Sequence, residues 1–341
     1  MRALVFDGPG AIRVRDDFED PAIVDQTDAI IDVTLAGLCG SDLHPFEGRE
    51  ASARGVVPGH EAVGIVRMVG SQVSSISPGD RVLVPFTVSC GWCERCTEGM
   101  SSRCTSSRLF GWGDPAGDAP LHGGQAGALR VPLADGTAVR VPDGIDDDTA
   151  VLLSDNFPTA WHAVSRTDWT KGPLAVIGLG AVGLCAVAAA HARGVGDILA
   201  IDPVESRRAA ATALGASTAS PSEATGRFGA IVEAAGPLTA QRLAVDLADV
   251  GATISIIAVQ TSEHFGIHPV NAYDKNLTIR TGRAPVRSVL AQILPGVADG
   301  TIRVPTSTVV THPDRPLSDG PELYRSFAAR DGALIKAMFR P

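Results

Sequence analysis

The segment CGWCERCTEGMSSRC places thiols at Cys90, Cys93, Cys96 and Cys104. Short C-x-x-C steps put neighbouring thiolates around one ion, and the fourth closes a tetrahedron, the donor set of a structural zinc site. With four thiolates bound, no position remains for a substrate. Such a site contributes on the order of 10 kcal/mol to local folding, enough to hold a surface lobe that has little core. Disulfides or free thiols are the competing reading, and a reducing cytosol disfavours disulfides. A second set is dispersed: Cys39 in LCGSDLH, and His60 with Glu61 in PGHEAVG. A thiolate plus an imidazole bind zinc and leave a coordination position for oxygen, provided a third ligand arrives from elsewhere. Each of these residues alone is more often a buried cysteine or a surface histidine, and spacing does not bring them together.

A third pattern is GLGAVG, comprising Gly178, Gly180, Ala181, Val182 and Gly183 between an apolar strand and a helix. Small residues are needed where the chain turns sharply and backbone N–H groups approach a pyrophosphate, which the helix N-terminus then stabilises. Asp202 ends the next strand, about 20 residues after the glycines, where an acid accepts hydrogen bonds from adenosine ribose hydroxyls. A carboxylate there repels the extra phosphate of NADP, so NAD is the expected cofactor. Arg207 and Arg208 weaken that preference, since either side chain reaches a phosphate.

These residues require a scaffold, and the chain supplies two textures. Residues 1–150 read as short strands cut by glycine and proline, among them ALVF, AIIDVTLAG, EAVGIVRMVG and DRVLVPF. Near residue 151 strands begin to alternate with helices, from LAVIGLG through DILAID, FGAIVEAAG and ATISIIAV, which predicts a doubly wound parallel sheet. The closing LIKAMF reads as a strand returning to the first domain. Cys185, on the helix after the glycines, reads as small apolar packing. With 341 residues, two domains are the default. The hydrophobic and charged fractions, 45% and 20%, belong to a packed globular chain. A net charge of -9 excludes a general affinity for nucleic acid or anionic lipid. No apolar run is long enough to span a membrane, and MRALVFDGPG lacks the sections of a signal peptide, so a cytoplasmic location is expected.

In order and in combination, CGSDLH, PGHEAVG, the four-cysteine lobe and GLGAVG resemble the zinc-containing medium-chain alcohol dehydrogenases, over nearly the whole chain. The GWG…LHGGQAG segment and KNLTIRTGR look like the formaldehyde, threonine and sorbitol dehydrogenase branches. The resemblance implies an α/β protein: a GroES-like β-rich catalytic domain (1–156 and 281–341, zinc lobe 90–104) and a Rossmann domain over 157–280. It implies two zinc ions per chain, one catalytic and one structural, and reversible hydride transfer between an alcohol and NAD to give an aldehyde or ketone. By matching positions, Cys39, His60 and Asp155 become catalytic zinc ligands, with Glu61 either a further ligand or a residue behind them. The competing reading of Asp155 is a helix N-cap. Ser41 matches the hydroxyl that contacts the alcohol, His44 the outer end of the proton path, and Asp42 the carboxylate that orients His60. Phe86 matches a substrate-channel wall, Thr159 a position near the nicotinamide, and Lys336 one near the pyrophosphate. Gly40 departs from relatives that carry a basic residue there. The implied partners are a small alcohol or carbonyl compound and further copies of the chain, as homodimer or homotetramer. Two other readings stay open: a formaldehyde dehydrogenase or dismutase with retained cofactor, and a catalytically silent zinc- and dinucleotide-binding module.

Overall fold

The computed structural model describes residues 1–341 apart from Asp118, Asp331 and Ala333. Two compact units are formed. The first comprises 1–155, 285–298 and 310–341, and the second 156–284 and 299–309.

In the first unit, β1 (Ala3–Gly8) and β2 (Ala11–Arg15) form an antiparallel pair. Five further strands follow: β3 (Ala29–Leu38), β4 (Ala62–Val69), β5 (Arg81–Val84), β6 (Ala128–Val131) and β7 (Val139–Arg140). Late in the chain β14 (His312–Pro316) and β15 (Ala337–Arg340) join them in a sheet ordered β14-β15-β3-β4-β5-β7, with β6 also on β3. The apolar runs read from sequence are these strands, and their inward residues, among them Ile31, Val33, Val82 and Val84, pack as one core. Register is what matters for chemistry. β4 runs antiparallel to β3 with Ala62 opposite Ala36, and β15 does the same with Ala337 opposite Leu38. The residue after β3 and those just before β4 and β15 therefore meet at one end of the sheet: Cys39, His60, Glu61 and Lys336.

The second unit holds β8 (Leu174–Ile177), β9 (Ile198–Ile201), β10 (Ser217–Ala219), β11 (Phe228–Glu233), β12 (Ala248–Ile256) and β13 (Thr278–Thr281). All pair in parallel, in the order β10-β9-β8-β11-β12-β13. That order reverses beside β8, the doubly wound arrangement whose ligand crevice opens at the strands' carboxyl ends. β8 and β11 are buried throughout, as continuous apolar runs demand. The division differs from the expected one at three places, since residue 156, residues 281–284 and residues 299–309 fall in the second unit. Residues 299–309 belong to the second unit rather than to an unbroken 281–341 segment. The short helix Thr306–Val309 packs against the helix Ala181–Ala192, and Val309 is fully buried there.

Candidate active site and metal centres

Cys39, His60, Glu61 and Asp155 each bring one donor atom to a common point, all within 4.8 Å of one another. The Asp155 Oδ2 lies 3.8 Å from the Cys39 Sγ and 3.5 Å from the His60 Nε2. Zinc with bonds of about 2.0–2.3 Å to N, O and S places its tetrahedral ligands roughly 3.3–3.7 Å apart, so the spacing fits that ion. Asp155 is set by local structure: Asp146 caps the helix Asp147–Ser154 through the Thr149 amide at 2.7 Å, and Asp155 follows as its C-terminal cap. It also stands directly before the helix Asn156–Ser165, the position that the N-cap reading gives it. The electrostatics of the cluster suit a cation. Burial and the charge of Glu61 push the Cys39 thiol up. Burial opposes a charge on His60, yet Asp42 and Cys39 together raise it well above the usual histidine value. A thiol, an imidazole and two carboxyls thus crowd a buried point where a divalent ion satisfies all of them.

Asp42 Oδ1 is 3.0 Å from the His60 Nδ1, while its Oδ2 accepts from the Cys39 amide at 2.9 Å. One carboxylate therefore closes the CGSD turn and fixes the ring so that Nε2 points inward. The Ser41 hydroxyl is 3.4 Å from the Cys39 Sγ and 3.3 Å from the His60 Nε2. His44 is buried on the turn Leu43–Phe46; its Nδ1 has no hydrogen-bond partner and lies 3.8 Å from a Glu50 oxygen. Phe86 packs edge-on to His60, with ring centroids 6.3 Å apart.

Lys336 is corrected by the structure. Expected at a pyrophosphate, it is instead 1% exposed, and its ammonium donates to Glu61 at 2.6 and 2.5 Å and to the Leu38 carbonyl at 3.3 Å. Three acceptors use its three N–H bonds, leaving nothing for a phosphate. The cause is the sheet register, which buries Lys336 beside Glu61, where an unpaired charge costs far more than a paired one. Burial opposes the ammonium, but Glu61 holds its pKa above the usual lysine value. Glu61 is thus both a member of the metal cluster and the counter-ion of Lys336. Lys336→Met is expected to destabilise the chain by about 3–5 kcal/mol, because Glu61 loses its buried counter-charge. Denaturant unfolding checks this, and the double variant with Glu61→Gln should recover most of the loss.

In the lobe, the four sulfurs of Cys90, Cys93, Cys96 and Cys104 lie within 4.8 Å of one another. The Cys93–Cys104 and Cys90–Cys96 separations are 3.8 and 4.0 Å, close to the edge of roughly 3.8 Å for a zinc–thiolate tetrahedron. The Thr105 and Cys96 amides bring the Cys93 thiol down to about 6, whereas burial pushes Cys96 up to about 12. Four thiolates coexist only around a cation, and this donor set fits zinc.

In the second unit, Gly178 bonds through its amide to the Ile201 carbonyl at 2.8 Å and turns the chain from β8 into the helix Ala181–Ala192. A Cβ on Gly183 would stand 1.8 Å from the Gly178 carbonyl oxygen, so only glycine lets the helix start pack on the turn. The cap residue Gly180 offers no side chain, and with Ala181 and Val182 it stays half-buried, leaving amides for an anion. Asp202 does more than was read from sequence: its Oδ2 accepts from the Leu179 amide and its Oδ1 from the Val204 amide, both at 2.8 Å. It fastens the glycine turn. Arg207 lies 3.9 Å from Asp202, and Arg208 is committed to the Asp202 and Pro203 carbonyls. Thr159 is buried in the first turns of the helix Asn156–Ser165. Glu233, which no motif marked, ends β11 fully buried; its Oε1 accepts from the Ala235 and Gly236 amides and so shapes the turn against which Gly178 packs. Gln125 and Tyr324 also went unread, because Gln125 sits in a glycine-rich loop and Tyr324 in an ordinary amphipathic helix.

The model of the alcohol dehydrogenase GroES-like domain matches residues 25–143. A probable zinc-binding alcohol dehydrogenase of Mycobacterium tuberculosis is 35% identical over 352 aligned residues, covering 100% of this chain and 89% of its own. The zinc-type alcohol dehydrogenase B of Aspergillus flavus is 40% identical, covering 86% of this chain and 72% of its own. Among solved structures, the alcohol dehydrogenase TADH of Thermus sp. ATN1 matches with a TM-score of 0.90 at 30% identity, covering 100% and 99% of the two chains. Sequence, fold and donor clusters agree: the chain belongs to the zinc-type alcohol dehydrogenases of the medium-chain family.

Proposed function

We propose that this alcohol dehydrogenase transfers hydride between an alcohol and NAD, with Cys39, His60 and Asp155 as the catalytic zinc ligands. The observation that carries the assignment is the convergence of those three donors, with Glu61, on one buried point. Zinc supplies a Lewis acid that makes an alcohol hydroxyl easier to deprotonate, and the nicotinamide supplies the hydride acceptor. The chain's own groups do the rest. Asp42 holds His60 in its inward tautomer, and Ser41, beside both Cys39 and His60, stands where a proton leaves the substrate oxygen. His44, with its Nδ1 unbonded, serves as the outer acceptor of that proton. Phe86 forms an apolar wall beside His60.

The glycine turn and the amides at Gly180–Val182 would hold the pyrophosphate, and Thr159, on the helix Asn156–Ser165, would contact the nicotinamide. Asp202 supports NAD, because its buried carboxylate repels an added phosphate and Arg207 only partly offsets that charge. The four-cysteine lobe holds structural zinc. No helix among the described residues is long and apolar enough to cross a membrane, and the reading includes a cytoplasmic location. It also includes a homodimer or tetramer, supported by β13, an edge strand whose four residues are all exposed and whose outer backbone groups can pair with a second copy.

The test is an initial-rate screen of primary, secondary, polyol and amino alcohols with NAD and NADP, alongside metal analysis. NAD turnover is expected to exceed NADP turnover by about 10–100-fold, the scale of one like-charge clash. Equal turnover would sink the cofactor assignment. Absence of alcohol-dependent reduction in protein holding two zinc ions would sink the whole reading.

A further inference from the structure

Asp42 fixes His60, and Asp42 is itself held by a buried chain that reaches the C-terminal helix. Tyr324, on the helix Gly320–Ala329, donates its hydroxyl to the Gln125 Oε1 at 2.9 Å across 199 residues of sequence. The Gln125 Nε2 donates onward to the Asp42 Oδ2 at 3.3 Å and to the Gly37 carbonyl at 3.1 Å. Gln125 and Tyr324 are both 0% exposed. The turn before His60 packs on the same side chain: Gly59 has φ +90°, and a Cβ there would lie 2.5 Å from the Gln125 Cγ.

The polarity of the chain follows from both ends: the Asp42 carboxylate and the Gly37 carbonyl only accept, and the phenol can donate. An amide has nearly the same shape either way round, so packing does not choose its orientation. A phenol that donates to one end forces that end to be the oxygen. Burial, reinforced by the charge of Asp42, raises Tyr324 well above the usual phenol value, so it remains a donor at any working pH. The amide nitrogen must then face Asp42. The opposite orientation would set the amide oxygen against both a carboxylate and the Gly37 carbonyl, and would leave the phenol without an acceptor.

We propose that Gln125 and Tyr324 are positioning residues for the catalytic zinc, which orient Asp42 and through it His60. This rests on the reading of Cys39, His60 and Asp155 as zinc ligands. The competing role for Tyr324 is packing, since its ring lies 5.4 Å from that of Phe46 in a cluster with Leu4, Leu38 and Phe339. Tyr324→Phe separates the two, because it keeps the ring and removes only the donor.

The experiment uses the full chain with cobalt(II) exchanged into the Cys39 cluster and zinc left in the four-cysteine lobe. The visible bands of cobalt report ligand geometry, and chelator competition reports zinc affinity. In Tyr324→Phe and Gln125→Leu the bands should shift, and affinity at the cluster should fall by about 10-fold, the lower end of the effect of partners that orient metal ligands. Zinc retention by the lobe should not change. If Tyr324→Phe has wild-type bands and affinity, the proposal is overturned, even if its melting temperature falls. Should Gln125→Leu not fold, Tyr324→Phe decides alone. Wild-type protein that binds metal only in the lobe would overturn the ligand reading itself, a separable failure.

Discussion

Asp155→Ala is expected to abolish alcohol-dependent NAD reduction, with a fall of at least about 1000-fold in kcat/KM, since a Lewis acid is worth several kcal/mol in the transition state. The geometry explains the size. Asp155 Oδ2 lies 3.8 Å from the Cys39 Sγ and 3.5 Å from the His60 Nε2, so its removal takes away one donor of the cluster. Cys39→Ser should have a comparable effect by replacing a soft ligand with a weak one. Zinc per chain and NADH formation are measured together, and zinc should fall by about one ion while the lobe retains its own. Among the described residues Glu61 is the only other carboxylate in the cluster, and its engagement with Lys336 limits its ability to substitute. Full activity in Asp155→Ala with two zinc ions bound would refute the ligand set.

Cys93→Ser acts on a different property. The lobe has scant core: Trp92 is 67% exposed, and the helix Glu94–Thr97 is a single turn, too short to persist alone. What holds it is the ion, whose binding contributes on the order of 10 kcal/mol in small zinc modules. The variant is expected to lose one zinc per chain, to melt lower, and to be cleaved by protease within the lobe. The Cys39 cluster should keep its metal, because none of its donors comes from the lobe. Unchanged zinc content and unchanged protease resistance would show that the four thiols do not form a metal site.

The two predictions also mark where sequence reading works. The lobe was legible because its four donors lie within fifteen residues, and short C-x-x-C steps restrict thiol separation whatever the rest of the chain does. The glycine turn was legible for the same reason: steric need at Gly183 is local. The strands could be read from apolar period, and the parallel sheet from their alternation with helices. Lys336 was misplaced because its neighbour Glu61 lies 275 residues away, and only the register of β15 and β4 on β3 joins them. Asp202 was recognised as an acid near a cofactor, yet its grip on the Leu179 amide depends on how β9 lies beside β8.

From its amino acids alone this chain declares a zinc lobe, a dinucleotide turn and two domains, because each depends on interactions between near neighbours. Tertiary structure alone decides that Cys39, His60 and Asp155 surround one point, that Lys336 answers Glu61, and that a phenol near the C-terminus orients an amide beside Asp42. Those pairings follow from strand register and from the cost of burying unpaired polar groups, and neither is written into any one stretch of residues.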